Sequence, residues 1–337
     1  MQTVSSLTES ELVERISRLL PPPPDWLAVG IGDDAAVLTA ARNRLEVLTI
    51  DAIVEGVHFD RCFTPPDAIG HRALAVNLSD LAAMGAEPRL ALLSLALPSD
   101  FPCADFDAMV AAVAALARRH AVYLVGGNLT RSPGPLMADV MAAGSVKPRQ
   151  ALTRGGACPG DELYVTGSLG AAAAGFEMLK EPVNGAAEGG AARPSNVCTG
   201  RYLYPDPRVR VGMLLARNRA ATACIDLSDG LSDGVRRLTD ASQVGAVIDA
   251  GALPIEPCAR DWFTRRDADP VQAAIAGGDD YELLFAVRPR LRRRMMGAGR
   301  HGGVPLTRIG VCTEDRTVVL RTAGGDGPFP EGYTHFR

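Results

Sequence analysis

Apolar positions recur along this chain at two spacings, and stretches of the two kinds alternate. Thr8 and Glu11 open a run in which Leu12, Ile16, Leu19 and Leu20 share one helical face. The Thr-x-x-Glu spacing predicts a capping box, and the four prolines at 21–24 predict the stop. LEVLTI at 45–50 predicts a strand ending at Asp51. Residues 67–84 predict a helix with Leu74, Leu78 and Leu81 on one stripe and Gly85 as its C-cap. Strand 90–97, helix 105–119, strand 121–125 and strand 136–146 follow.

KPRQALTRGGACPGD at 147–161 is polar and carries Gly and Pro, so it predicts a boundary between a domain at 1–148 and another at 149–337. Beyond it the pattern predicts strand 162–166, helix 169–180 and a surface loop over 181–200. Helix 207–220, a strand ending at Asp226, helix 230–242, strands 245–249 and 281–287, and helix 288–298 complete it. Strands alternate with helices in both halves, so the fold class is α/β or mixed α+β.

Composition adds exclusions. The chain has 337 residues and a net charge of -4, with 47% hydrophobic and 22% charged residues. That balance gives no electrostatic reason to expect nucleic acid or a membrane as partner. Seven cysteines, an odd number without a CxxC pair, argue against a disulfide framework or zinc and for a reducing cytoplasm. No signal peptide pattern opens the chain, and no apolar run is long enough to span a bilayer.

The candidate chemistry is acidic. ACIDLSDGLSDG at 223–234 sets Asp226, Asp229 and Asp233 among apolar residues with no Lys or Arg adjacent. Asp80 lies on a predicted helix, Asp51 ends a predicted strand, and Asp33-Asp34 and Asp279-Asp280 follow glycines. Any one of these reads as a cap or turn residue. As a set they predict hard oxygen ligands for Mg²⁺, which takes one or two carboxylates plus waters and phosphate oxygens. Asp229 and Asp233, four apart, would repel on a shared helical face unless a cation intervened.

Gly126-Gly127-Asn128 reads as a turn or as backbone amides facing phosphate. Gly167 to Gly170 enters a helix and reads as a structural turn or an anion site. His58 is either a satisfied structural histidine or a phosphate contact, and Arg154 either a surface residue or a phosphate ligand. Tyr333 would stack on an aromatic ligand or anchor the tail. Walker A, protein-kinase and GxSxG patterns are absent.

In order, GIGDDAAVL, TIDAIVEGVHF, ALAVNLSDLAAMGAEP, VGGN, LTRGGACPGDELYVTG, IDLSDGLSD, GGDDYEL and EGYTHF resemble the thiamine-monophosphate kinases. The resemblance spans about residues 10–336. It extends to a superfamily with aminoimidazole-ribotide and selenophosphate synthetases. It implies a two-domain architecture with an N-terminal sheet used for dimerisation, and ATP-dependent phosphorylation of thiamine monophosphate with several Mg²⁺ ions. The second domain is expected to complete the active site. Position by position, it implies metal ligands at Asp34, Thr49, Asp51, Asp80, Asp226 and Asp229. It implies ATP contacts at Gly127, Arg154 and Ser228, and substrate contacts at His58, Asp279 and Tyr333. Three positions depart from the family pattern: Ile50 replaces Thr, Asn128 replaces an Asp that would serve metal and ATP, and Asp279 replaces Glu. The competing expectations are a superfamily member acting on a different phosphorylated or amide substrate, and a nucleotide-binding protein without turnover.

Overall fold

A computed structural model describes residues 2–181 and 196–332. Contacts divide the chain into two units, Met1–Leu81 with Ala86–Arg149, and Ala82–Gly85 with Gln150–Arg337.

Helix α1 (Glu9–Leu19) starts on the expected capping box: the Thr8 hydroxyl accepts from the Glu11 amide, and the Glu11 carboxylate accepts from the Thr8 amide. β1 (Leu27–Val29) and β2 (Val37–Leu38) pair around GIGDD. β3 (Leu45–Val54), α2 (Pro66–Ala83), β4 (Glu87–Pro98), α3 (Cys103–Arg119), β5 (Tyr123–Ser132) and β6 (Met137–Val146) follow. Past α2, Gly85 takes φ +66° and the Ala86 amide reaches the Leu81 carbonyl at 2.8 Å, the predicted glycine cap.

The four-stranded sheet runs β3-β6-β4-β5, and only β4 and β5 are parallel. On β4, Ala91, Leu93, Leu95 and Leu97 are buried on one face. Thr49 of β3 reaches α2 from the same face by donating to the Asp80 carboxylate. The other face is open: Leu48 and Ile50 are 65% and 64% exposed.

Two strands outrun their expected ends. β3 continues to Val54, so Asp51 stands within the strand. β5 continues to Ser132, so Gly126-Gly127-Asn128 is strand and not a turn. Pairing overrides local propensity here. Gly127 lies opposite Leu93, and a Cβ on it would sit 1.9 Å from the Leu93 carbonyl oxygen.

The second unit contains β7 (Glu162–Thr166), α4 (Ala171–Lys180), α5 (Val197–Leu203), α6 (Val209–Asn218), β8 (Ala223–Asp226) and α7 (Leu231–Ser242). Then come β9 (Gly245–Asp249), α8 (Pro257–Thr264), α9 (Pro270–Ala276), β10 (Leu283–Val287), α10 (Arg292–Gly302), β11 (Leu306–Thr313), β12 (Val318–Thr322) and β13 (Gly325–Pro328). They form a seven-stranded sheet, β13-β12-β9-β11-β7-β10-β8, antiparallel except between β12 and β9. The antiparallel pairing makes the class mixed α+β. Val165, Ile225 and Leu284 of this sheet bury against Val235 and Leu238 of α7.

Periodicity predicts no strand after residue 298, yet three lie there. A bulge between Arg308 and Gly310 breaks the alternation of β11, the longest of them. Of the expected loop at 181–200, residues 182–195 lie outside the described residues, and Val197 onward is helical with Asn196 as its cap. Two of the cysteines also depart from expectation. Cys198 of α5 and Cys258 of α8 form a disulfide across 60 residues, a proximity that only the packing of these helices creates. Among the described residues no helix is long and apolar enough to cross a membrane.

Helix α4 meets α5 at Gly175, where an added Cβ would lie 2.1 Å from the Cys198 carbonyl oxygen. Gly175→Ala should therefore cost about 1–3 kcal/mol by overpacking. Urea denaturation checks this, and an unchanged midpoint would refute so close a packing.

Candidate active site

In the first unit, the loop between β1 and β2 carries Asp34. Gly32 turns the loop at φ +112°, and the Asp33 carboxylate accepts from the Asp34 amide at 2.9 Å. Asp34, Gly127 and Asn128 line one cleft of about 1180 Å³ on the open face of the sheet. Glu9, Glu14, Asp33, Glu46 and Asp139 line it too, and among the described residues no Arg, Lys or His does. Glu14 is paired with Arg18. The others concentrate negative charge in a cleft without a basic side chain, a setting that favours cations.

Thr49 and Asp80 meet on the opposite, helix-covered face through their hydrogen bond. Asp51, two residues along β3, points to the face of Thr49. His58 sits just past β3, where its Nδ1 accepts from the Val54 amide at 3.1 Å. That bond fixes the ring and places the N–H of the neutral imidazole on Nε2.

In the second unit two acidic phrases are tied together by backbone. The Asp279 amide donates to Ser228 O at 2.7 Å, the Tyr281 amide to Leu227 O at 3.0 Å, and the Leu227 amide to Glu282 O at 2.8 Å. The approach needs glycine: a Cβ on Gly230 would lie 2.3 Å from Gly277 O, and one on Gly278 2.7 Å from Ser228 O. Ser228, Asp229 and Asp279 are thereby gathered next to the start of β10. Asp226 ends β8 as expected and is 6% exposed. Asp279 and Tyr281 both adopt left-handed backbone, at φ +65° and +49°. Such residues cost roughly 1–3 kcal/mol each, and the cross-links to 227–228 hold them. The Tyr281 hydroxyl donates to Asp279 Oδ1 at 3.0 Å and fixes that carboxylate.

The other two acids of GGDDYEL serve the fold. Asp280 is buried and accepts from the Gly170 and Ala172 amides at 2.7 and 3.3 Å, at the start of α4. Burial pushes its carboxyl up to about 7, against the downward pull of the two amides. The turn at 167–170 is thus structural, and a protein carboxylate fills its helix N-terminus. Glu282, fully buried, accepts from Arg208, from Arg201 at 2.8 Å and from Thr166 at 2.5 Å. Arg237 corrects a further expectation. It pairs with Asp233 at 2.5 Å and Asp229 at 3.4 Å, so an arginine one turn on compensates these acids. Asp229 precedes α7 and shares no helical face with Asp233.

Arg154 is exposed, in a segment whose Thr153 carbonyl accepts from Cys224 of β8 at 2.8 Å. Tyr333 lies outside the described residues. Sequence reasoning missed Asp139, whose signal was an acid interrupting the apolar run LMADVMAAGSV. Among the described residues no three His, Cys, Asp or Glu side chains group as a metal site. Oxygen donors in ones and twos, such as Asp34 and the Thr49–Asp80 pair, fit Mg²⁺ with its waters and phosphates. They do not fit zinc.

Comparison with known proteins gives the family. Family models for the N- and C-terminal domains of AIR synthase related proteins match residues 32–146 and 158–322. The thiamine-monophosphate kinase of Escherichia coli K12 is 38% identical over 314 residues, 91% of this chain and 92% of that protein. The chain belongs to the thiamine-monophosphate kinase family. A crystal structure of such a kinase from Stenotrophomonas maltophilia superposes with a TM-score of 0.80 at 36% identity, covering 93% of this chain and 96% of that one. AaThiL complexed with AMPPCP and TMP superposes with a TM-score of 0.75 at 28% identity, covering 100% and 99%. Within this kinase family, the cleft and the acidic surface of the second unit are the natural candidates for chemistry.

Two stability outcomes separate fold from site. Glu282→Ala removes the main carboxylate partner of buried Arg208 and should cost about 3–5 kcal/mol, whereas Asp279→Asn, which tolerates the left-handed backbone and keeps an oxygen for the Tyr281 hydroxyl, should leave the urea midpoint nearly unchanged. Asp280 has a folded pKa raised above its unfolded value, so its contribution is full below about 3.8 and is lost as pH rises toward about 7. Asp280→Asn should accordingly gain stability relative to the wild type between pH 4 and pH 8. A constant difference across that range would contradict the assignment.

Proposed function

We infer that this chain transfers the γ-phosphoryl group of ATP to thiamine monophosphate, giving thiamine diphosphate and ADP. The observation that carries this reading is 38% identity to the Escherichia coli thiamine-monophosphate kinase over 91% of the chain. The acceptor oxygen belongs to a phosphate monoester with a second pKa of about 6, so it is anionic at neutral pH and needs no general base. The obstacle is repulsion: two unit charges ~4 Å apart cost ~4 kcal/mol at an effective dielectric of 20. Bound Mg²⁺ would offset this repulsion by neutralising charge on the phosphates.

The residues of this chain hold and orient. Asp34, Thr49, Asp51, Asp80, Asp226 and Asp229 are the oxygen donors assigned to Mg²⁺. Gly127, Asn128, Arg154 and Ser228 serve ATP; His58, Asp279 and Tyr333 serve thiamine monophosphate. Asp279 is one methylene shorter than the family's Glu, and its bond from Tyr281 supports a fixed carboxylate at the substrate. Ile50 offers no hydroxyl and instead adds apolar surface to the open sheet face. That face, with Leu48 and Ile50 well over half exposed, is suited to burial against a second copy of the chain, and we assign it to a homodimer. ATP as donor assigns the reaction to the cytoplasm.

Purified protein with MgATP and thiamine monophosphate should yield thiamine diphosphate, with little product from other phosphomonoesters assayed beside it. No thiamine diphosphate would end this reading. Asp226→Asn should reduce turnover at least a hundredfold with a melting temperature close to wild type. Leu48→Lys should convert a dimer to a monomer in sedimentation; an unchanged sedimentation coefficient would place the interface elsewhere.

A further inference from the structure

Register puts Ala52, Asp139, Ser94 and Asn128 in one row across the sheet, one residue from each of β3, β6, β4 and β5. Directly paired residues point to the same face, and Asp139, Ser94 and Asn128 all line the acidic cleft. Their neighbours in the next row are apolar: Ile50, Met141 and Leu92. Asp139 Oδ1 is buried and has no hydrogen-bond partner. A carboxylate oxygen shielded from water without a partner is unfavourable unless something else compensates it. Among the described residues no basic side chain lines the cleft to do so.

We propose that Asp139 binds a divalent cation on the open face of the first unit, with Ser94 and Asn128 as neutral oxygen donors along the same row. The proposal deepens the Mg²⁺ assignment above and rests on it. Adjacent strands lie about 4.8 Å apart, so the row from Asp139 to Asn128 spans about 10 Å. That is too long for one bare ion and suits one that keeps its waters, as Mg²⁺ does. Where the family pattern has a carboxylate at position 128, this chain has a neutral amide. The negative charge of the row stands instead two strands away, at Asp139.

Mn²⁺ titrated into the full-length protein without nucleotide, with free Mn²⁺ read by electron paramagnetic resonance, tests this directly. Asp139→Asn should lose one bound equivalent or weaken it at least tenfold. Asp139→Asn with Asn128→Asp should recover it, because a carboxylate returns to the same row. An unchanged titration in Asp139→Asn overturns the proposal, and so does loss without recovery in the double variant. Melting in EDTA guards against a folding defect: Asp139→Asn should melt at or above the wild-type temperature, since it removes an unpartnered carboxylate. A much lower temperature would mean a structural partner and would also overturn it. A wild type that binds Mn²⁺ through Asp139 yet makes no thiamine diphosphate leaves this inference standing and removes only the functional reading.

Discussion

Glu282 has no exposed surface, and its carboxylate is matched by Arg208, Arg201 and Thr166. A buried charge that loses one partner destabilises a fold by several kcal/mol, so this cluster fixes where residues 279–282 can lie. The Leu283 amide donates to Thr166 Oγ1 at 2.8 Å, which sets the start of β10. From that anchor the chain turns back through two left-handed residues, Tyr281 and Asp279, onto the backbone of 227–228. The loops that carry Ser228, Asp229 and Asp279 therefore inherit their geometry from a buried ion cluster next to them in the chain.

The carboxylates thus divide by what compensates them. Asp280 has the amides of α4, Glu282 has two arginines, and Asp233 has Arg237. Of these, Asp280 and Glu282 are buried and hold the fold. In the first unit the balance differs: among the described residues the cleft with Asp34 and Asp139 has acids and no basic lining residue. A family whose reaction joins two anions needs positive charge at the meeting point, and a protein that supplied it as arginine would fix it in place. Oxygen donors would leave that charge to bound cations, which would neutralise the phosphates.

Much of this was legible where the information is local. The Thr8–Glu11 box, the Gly85 cap, Asp80 on α2 and Asp226 at the end of β8 follow from neighbours a few residues apart. The family motifs marked Asp34, Thr49 and Asp279 because they occur as ordered phrases. What failed was non-local. Glu282 meets Arg208 across 74 residues, Cys198 meets Cys258 across 60, and Gly126-Gly127 reads as a turn until β4 is laid beside it. Asp139 looked like an interruption in an apolar strand, and only the register with Ser94 and Asn128 gives it neighbours.

The central claim is that these aspartates hold divalent cations for phosphoryl transfer. A crystal grown with Mn²⁺ and a non-hydrolysable ATP analogue, with data collected at the manganese edge, tests it most directly. The account predicts anomalous peaks within coordination distance of the carboxylates of Asp34, Asp80 and Asp226. Analogue phosphates bound with no manganese at those side chains, or with the carboxylates turned away from them, would contradict it.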